Sequence, residues 1–245
     1  GEAPNGDYAL LRGEHFKGLY LLDLKKNTVV KISDKDGSGY GYSWDKNGTV
    51  FYFKEKGEKE YFSQSRVMAY DVATKQLERK TNINHNFLPS FQGETTNIVV
   101  YTNLTTLKIE AKDLASDKSW VVTGDEGQFY NAILSNDGKK VAVHNGPDIF
   151  VYDLNGDGKG TKVGTGIATS WSADDKYLLG FLDESEDGHT VSNSEIYLFD
   201  TSAFRPKKIT KTEVFTEMFP TFYGKNQIMF SDDKTGRIFT SQLKN

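Results

Sequence analysis

The stretch Ser194-Glu195-Ile196-Tyr197-Leu198-Phe199-Asp200 decides the fold, because its apolar strand ending in Asp recurs along the chain. The other copies end at equivalent positions: Asp23, Asp71, Asp113, Asp153 and, with Gln in place of Asp, Gln242. Successive copies lie 48, 42, 40, 47 and 42 residues apart. A mean of about 44 residues is the period expected for four strands per blade of a β-propeller.

A second pattern precedes each of the last five copies. An aromatic or apolar residue closes one strand, a polar turn follows and a β-branched run begins, as around Ser43-Trp44-Asp45-Lys46-Asn47-Gly48 and Ser135-Asn136-Asp137-Gly138. Asn-Gly and Asp-Gly turns supply the positive φ that tight hairpins need. The unit therefore reads as strand A, tight turn, strand B, variable loop, strand C ending in Asp, short turn and strand D.

These patterns predict an all-β fold: one six-bladed β-propeller of four-stranded antiparallel blades. Strands B and C are apolar on both faces, which suits a sheet with a neighbour on each side. The terminal blades are incomplete, since the first begins at strand B and the last stops at strand C. We expect these two blades to meet, because an exposed apolar edge would aggregate. The single domain spans 1–245, with approximate blades 7–36, 37–83, 84–125, 126–166, 167–213 and 214–245.

Composition excludes several classes of protein. The 245 residues include 30 Lys plus Arg against 34 Asp plus Glu and no Cys. A disulfide scaffold, a thiolate metal site and a cysteine nucleophile are therefore ruled out. A net acidic chain argues against a nucleic-acid partner, which needs a positive face. No apolar run approaches the roughly 20 residues of a transmembrane helix. We expect a monomer.

The repeat resembles the TolB-like β-propeller repeat, most closely in Ser170-Trp171-Ser172-Ala173-Asp174-Asp175-Lys176 followed by the stretch ending at Asp200. The Pro of that family's turn is absent, and the units at 86–123 and 215–245 are degenerate. The resemblance implies a periplasmic or cell-surface protein, and a lipoprotein candidate, that recognises other proteins after removal of a signal segment. The same repeat forms the propeller of prolyl-oligopeptidase-type peptidases, but the Gly-x-Ser-x-Gly nucleophile motif is missing here.

Propeller geometry places the starts of the A strands and the B–C loops on one face, around the central channel. Residues there predict a non-enzymatic surface for a protein or peptide partner. They are Tyr40, Tyr42, Tyr61, Phe62, His85, Asn86, Phe87, Gln128, Tyr130, Thr169 and Glu217. The alternatives are a lyase or hydrolase with a channel-mouth active site, or the non-catalytic propeller domain of a larger protein. A buried acid pair or a metal in a cleft would favour the enzyme hypothesis. An open rim rich in Tyr would favour the binding-module hypothesis.

One loop offers a candidate metal site. Asp153, Asn155 and Asp157 match the opening of a calcium-binding loop, although Gly164 replaces its usual bidentate Glu. The alternative is an ordinary C–D turn in which the strand-C Asp accepts backbone N–H groups. No other cofactor is expected. We expect the four His residues to be solvated, and we expect the A-strand aromatics to be core residues between blades: Trp44, Phe91, Trp171 and Phe222.

Overall fold

Backbone hydrogen bonds join strands that follow one another in sequence, so each sheet is an antiparallel meander. A computed structural model describes residues 2–39, 41–45, 47–56, 65–83, 87–90, 98–113, 116–212, 214–223 and 226–243, with only the backbone described at 56, 65, 81–83 and 87–90. Within these ranges the chain forms 22 strands in six sheets and one 3₁₀ turn at Glu14–Phe16. The predicted all-β propeller class is confirmed.

The first sheet has three strands, β1 (Tyr8–Arg12), β2 (Leu19–Asp23) and β3 (Thr28–Ser33). The second contains β4 (Tyr42–Trp44), β5 (Val50–Lys56), β6 (Ser65–Asp71) and β7 (Gln76–Ile83). The third contains β8 (Phe87–Ser90), β9 (Ile98–Asn103), β10 (Ile109–Asp113) and β11 (Ser119–Val121).

The fourth sheet contains β12 (Phe129–Leu134), β13 (Lys140–Asn145), β14 (Asp148–Asp153) and β15 (Thr161–Thr165). The fifth contains β16 (Ile167–Trp171), β17 (Tyr177–Glu184), β18 (Asn193–Asp200) and β19 (Pro206–Lys208). The sixth has three strands, β20 (Glu217–Tyr223), β21 (Gln227–Asp232) and β22 (Ile238–Gln242). A blade count of six stays a prediction, which these six sheets support.

Apolar side chains fill the space between consecutive sheets. Trp44 stacks on Tyr8 of the first sheet with ring centroids 6.5 Å apart. Trp171 is buried and donates its indole N–H to the carbonyl of Ile133 in the fourth sheet at 3.0 Å. These contacts confirm that both Trp residues are core between sheets. Phe222 is partly buried in the cluster that joins the fifth and sixth sheets, and Phe91 lies outside the described residues.

The Asp that ends strand C closes the following turn, as the sequence predicts. The Asp23 carboxylate accepts the N–H groups of Lys25 and Lys26 at 3.0 and 2.9 Å. Asp71 accepts the N–H of Thr74 at 2.7 Å, and Asp200 accepts that of Ser202 at 2.9 Å. The recurring Asp therefore has a local structural role at these three positions.

The expectation that all four His residues are solvated is wrong for His144. Its side chain is 0% exposed, on β13 between the fourth and fifth sheets. Its Nε2 accepts the backbone N–H of Ala168 on β16 at 3.0 Å, so this nitrogen carries no proton. Burial lowers the pKa of His144 to about 4. The apolar strand around it, Val141-Ala142-Val143-His144, is what buries the ring.

Within the described ranges, no helix reaches the length and apolarity that a membrane crossing requires.

Candidate binding face

The first strands of neighbouring sheets approach one another, and three of them carry a bulge at the point of approach. The register of β12, β16 and β20 against their partner strands shifts between Tyr130 and Ile133, between Ala168 and Ser170, and between Met218 and Thr221. A bulge leaves its extra residue unpaired and re-aims its side chain. The bulged residues here point to the next sheet.

Contacts between bulges link the inner strands in series. The Asn131 amide donates to the carbonyl of Ala168 at 3.2 Å, from the fourth sheet to the fifth. The Thr169 hydroxyl donates to the carbonyl of Pro220, from the fifth sheet to the sixth. Phe219 then meets Phe16 of the first sheet, with ring centroids 6.1 Å apart. The sixth sheet thus contacts the first, as expected for the terminal blades.

The contact between the last and first sheets contains a cation. The guanidinium carbon of Arg12, at the end of β1, lies 3.5 Å from the ring centroid of Phe219 and 4.8 Å from that of Phe16. Phe219 also packs edge-on against Phe181 of β17 at 5.1 Å. Arg12 and the two rings that flank it are partly exposed, so solvent reaches this cluster.

Among the predicted site residues, Tyr42 interacts with Arg12 of this cluster. It begins β4, is partly exposed, and interacts electrostatically with Arg12. Burial raises the pKa of the Tyr42 hydroxyl and lowers the pKa of the Arg12 guanidinium. Both shifts reflect loss of water around the charged form. The tyrosine therefore stays a neutral hydrogen-bonding group beside a cation.

Three other predicted residues lie along the inner strands or just before them. Tyr130 is 38% exposed, stacks on His144 at 5.2 Å and donates its hydroxyl to the carbonyl of Gly146 at 2.7 Å. Thr169 is partly exposed and engaged in the bulge contact above, and Gln128 is exposed. The structure therefore leaves Tyr130 and Gln128 accessible. It uses the Thr169 hydroxyl to hold two sheets together.

Glu217 begins β20 but is 0% exposed. One carboxylate oxygen accepts the Thr212 hydroxyl at 2.8 Å, and the other has no hydrogen-bond partner among the described residues. Glu195 of β18 is also buried, with one oxygen 3.2 Å from Lys208 Nζ and the other without a partner in the same part of the chain. Burial raises the pKa of Glu217, and the Glu195 charge raises it further. The two acids form a buried pair.

Five predicted site residues lie outside the described residues: Tyr40, Tyr61, Phe62, His85 and Asn86. Phe87 begins β8, where only the backbone is described.

The candidate calcium loop follows β14, and its three side chains are exposed: Asp153, Asn155 and Asp157. Asp157 accepts the N–H of Lys159 at 3.0 Å, and the Asp153 carbonyl accepts the N–H of Gly156 at 3.1 Å. No group of three or more His, Cys, Asp or Glu side chains suited to a metal occurs in the part of the chain that the structure describes. Calcium in this loop stays a prediction.

Sequence reasoning did not select Arg12, Phe16 or Phe219. One signal for Arg12 was present, because it ends the otherwise apolar strand Tyr8-Ala9-Leu10-Leu11-Arg12 on the predicted face. Nothing local marks Phe16 or Phe219, which become partners of Arg12 only when the last sheet meets the first.

No family model matches the chain, and no curated protein matches it in sequence. Solved structures do match. TolB from Acinetobacter baumannii aligns with a TM-score of 0.67 and 18% identity, over 95% of this chain and 59% of that one. The chain has a TolB-like propeller fold. It spans about three fifths of the length of that TolB chain.

Other matches to this TolB-like fold carry different activities. An oligogalacturonate lyase from Vibrio parahaemolyticus aligns with a TM-score of 0.60 and 13% identity, over 98% of this chain and 74% of the lyase. The β-propeller domain of the Trilobed protease from Pyrococcus furiosus aligns with a TM-score of 0.52 and 13% identity, over 91% and 70%. Identities this low establish the fold, and function has to be argued from the site.

Proposed function

We propose that this protein is a non-enzymatic propeller that binds a protein or peptide partner in the bacterial cell envelope. The observation that carries the proposal is the cluster formed where the first sheet contacts the last, by Arg12, Phe16, Phe219 and Tyr42. There Arg12, two phenylalanine rings and Tyr42 are partly exposed residues that lie together. Aromatic residues and Arg dominate the energetic centres of protein interfaces. The periplasmic or cell-surface location rests on the likeness to TolB and on the repeat.

The test uses tyrosines matched in exposure at opposite ends of the strands. Tyr130, 38% exposed, lies on the proposed face, whereas Tyr177, 41% exposed, follows an A–B turn at the other end. We expect Tyr130→Ala and Tyr42→Ala to weaken, by about tenfold or more, the capture of partners from an envelope extract. Tyr177→Ala should leave capture unchanged. Equal losses from Tyr130→Ala and Tyr177→Ala would contradict the proposed face.

A lyase is the second candidate, because Glu195 and Glu217 form the buried acid pair that an enzyme of this fold could use. The likeness to an oligogalacturonate lyase supplies a substrate to try. Both carboxyl groups are buried, so a substrate in solvent does not reach them, and binding is the better-supported function. Formation of an unsaturated product from oligogalacturonate, followed by ultraviolet absorbance and abolished in Glu217→Gln, would reverse that order.

A further inference from the structure

Arg12 is a partly buried cation without an anionic partner among the described residues. Its guanidinium lies against two phenylalanine rings and interacts electrostatically with Tyr42. Arg205, in contrast, is exposed and lies 3.7 Å from the Asp200 carboxylate. Desolvating a cation is unfavourable unless an anion or hydrogen-bond acceptors compensate for the lost water. The Arg12 position is therefore incomplete in a way that the surface Arg is not.

The rings that flank Arg12 are held in unusual backbone conformations. Phe16 has φ of 58° and Phe219 has φ of 52°, in the left-handed region that bulky residues rarely adopt. Phe16 lies in the loop between β1 and β2, and Phe219 lies in the bulge of β20. Such strained conformations cluster at active and ligand-binding sites. Two rings are therefore held against one guanidinium by backbone conformations that are unfavourable for phenylalanine.

Close packing also restricts the base of the Arg12 side chain. A Cβ built on Gly39 would lie 2.6 Å from the Cβ of Arg12, so only glycine fits there. The Gly39 N–H donates to the carbonyl of Phe16 at 3.2 Å, which ties this segment to the strained loop. Arg12 is therefore positioned by three separate segments of the chain, and the residue as a whole stays partly exposed.

We propose that Arg12 binds a carboxylate group of the peptide partner, an inference that rests on the proposed binding function. A guanidinium pairs with a carboxylate through two parallel hydrogen bonds, and the aromatic faces stabilise the cation while it does so. One carboxylate matches the single charge of Arg12. A phosphate carries nearly two negative charges at neutral pH, which this one cation leaves unbalanced. Tyr42 supplies a neutral hydroxyl beside the same site.

The direct test uses N-acetyl-L-phenylalanine and its amide as probes, followed by NMR of the Arg side-chain N–H signals. Ligands of this size bind a good site with about millimolar affinity. We expect the acid to bind and the amide to bind at least tenfold more weakly. Arg12→Met should abolish binding of the acid, Arg12→Lys should weaken it, and the surface control Arg205→Met should leave it unchanged.

A second probe separates the two sources of the carboxylate. N-acetyl-L-aspartyl amide carries a carboxylate only on its side chain, so comparison with N-acetyl-L-phenylalanine shows whether an acidic side chain or a chain terminus is preferred. Binding of either acid, lost in Arg12→Met, supports the inference. Equal binding of acid and amide, no binding of either acid up to its solubility limit, or tighter binding of inorganic phosphate overturns it.

Thermal unfolding keeps a folding defect apart from a binding defect. Met keeps the apolar packing of the Arg12 side chain and removes a desolvated charge that has no anionic partner among the described residues, so Arg12→Met should melt no lower than the parent protein. The capture assay separates the two proposals. If Tyr42→Ala abolishes capture of a partner and Arg12→Met does not, the carboxylate inference fails while the binding function stands. If neither change affects capture, both fail.

Discussion

At the scale of single residues, hydrogen bonds between polar groups connect adjacent sheets, although these groups are far apart in the sequence. The Asp175 carboxylate accepts the Asn136 side-chain amide and the N–H groups of Asn136 and Asp137 at 2.8–2.9 Å. These bonds join the A–B turns of the fourth and fifth sheets. His144 does the same at the inner strands through the N–H of Ala168. Polar residues that the sequence suggests are ordinary loop residues therefore form hydrogen bonds between sheets.

Protonation of His144 should destabilise the fold. The folded-state pKa of about 4 lies below the ordinary value of 6.5, so the stabilising effect is complete above pH 6.5 and is lost as the pH falls towards 4. We expect unfolding free energy to fall by about 2 kcal/mol between pH 7 and pH 5 from this residue. Urea unfolding at both pH values measures it.

The comparison variant is His144→Gln, whose side-chain carbonyl can still accept the Ala168 N–H but does not titrate. It should lose most of this pH dependence. His15→Gln alters an exposed His and should keep the parent profile. A His144→Gln protein that loses stability between pH 7 and pH 5 as steeply as the parent would show that another group is responsible.

At the scale of strands, small residues set how closely sheets pack. Gly164 on β15 faces Phe199 on β18 of the next sheet, and a Cβ at Gly164 would lie 2.2 Å from the Phe199 ring. Phe199 is fully buried. The same Gly164 stands where a calcium loop would need its bidentate Glu. Packing between sheets explains why glycine occupies this position.

Gly164→Ala should therefore lower the unfolding free energy by about 1–3 kcal/mol, because the added methyl group overpacks a closed interface. Thermal unfolding would show this as a fall of several degrees, at about 2–4 °C per kcal/mol for a chain of this size. Thr161→Ala, an exposed site on the same strand, is the control. Phe199→Leu in the Gly164→Ala background should recover part of the loss. Strict additivity of the two changes would argue against direct contact.

At the scale of the whole molecule, closure depends on Phe219, which contacts Phe16 and Arg12 of the first sheet and Phe181 of the fifth. Among the described residues, the first sheet has the strand order β1-β2-β3, and none of these strands pairs with a strand of the sixth sheet. Side-chain packing therefore joins the chain's two ends where strand pairing does not. This makes the closing contact a weak point of the ring.

Phe219→Ala should lower stability by about 2 kcal/mol, less than for a fully buried Phe because the ring is partly exposed. Hydrogen exchange should accelerate in β1 and β20 before it does in the fourth sheet, since the ends separate first. Phe204→Ala removes an exposed ring and should change neither property. Uniform acceleration across all sheets would mean that Phe219 does not control closure.

The fold class and the turns could be predicted from local patterns in the sequence, whereas the predicted face stays a prediction. The fold class follows from the regular period of about 44 residues. The turns follow from features a few residues apart, namely the polar turn residues and the Asp that closes its own C–D turn at Asp23, Asp71 and Asp200. Each depends on local backbone geometry, which short-range pattern specifies.

Which side chains meet where the sheets join depends on tertiary packing. Arg12 and Phe219 lie near opposite ends of the chain and become neighbours through the packing of the last sheet on the first. Glu217 occupies a predicted rim position yet is buried beside Glu195, and His144 is enclosed by the next sheet. Contacts of this kind depend on bulges and on the orientation of one sheet against another, and residue spacing along a single strand carries no information about either.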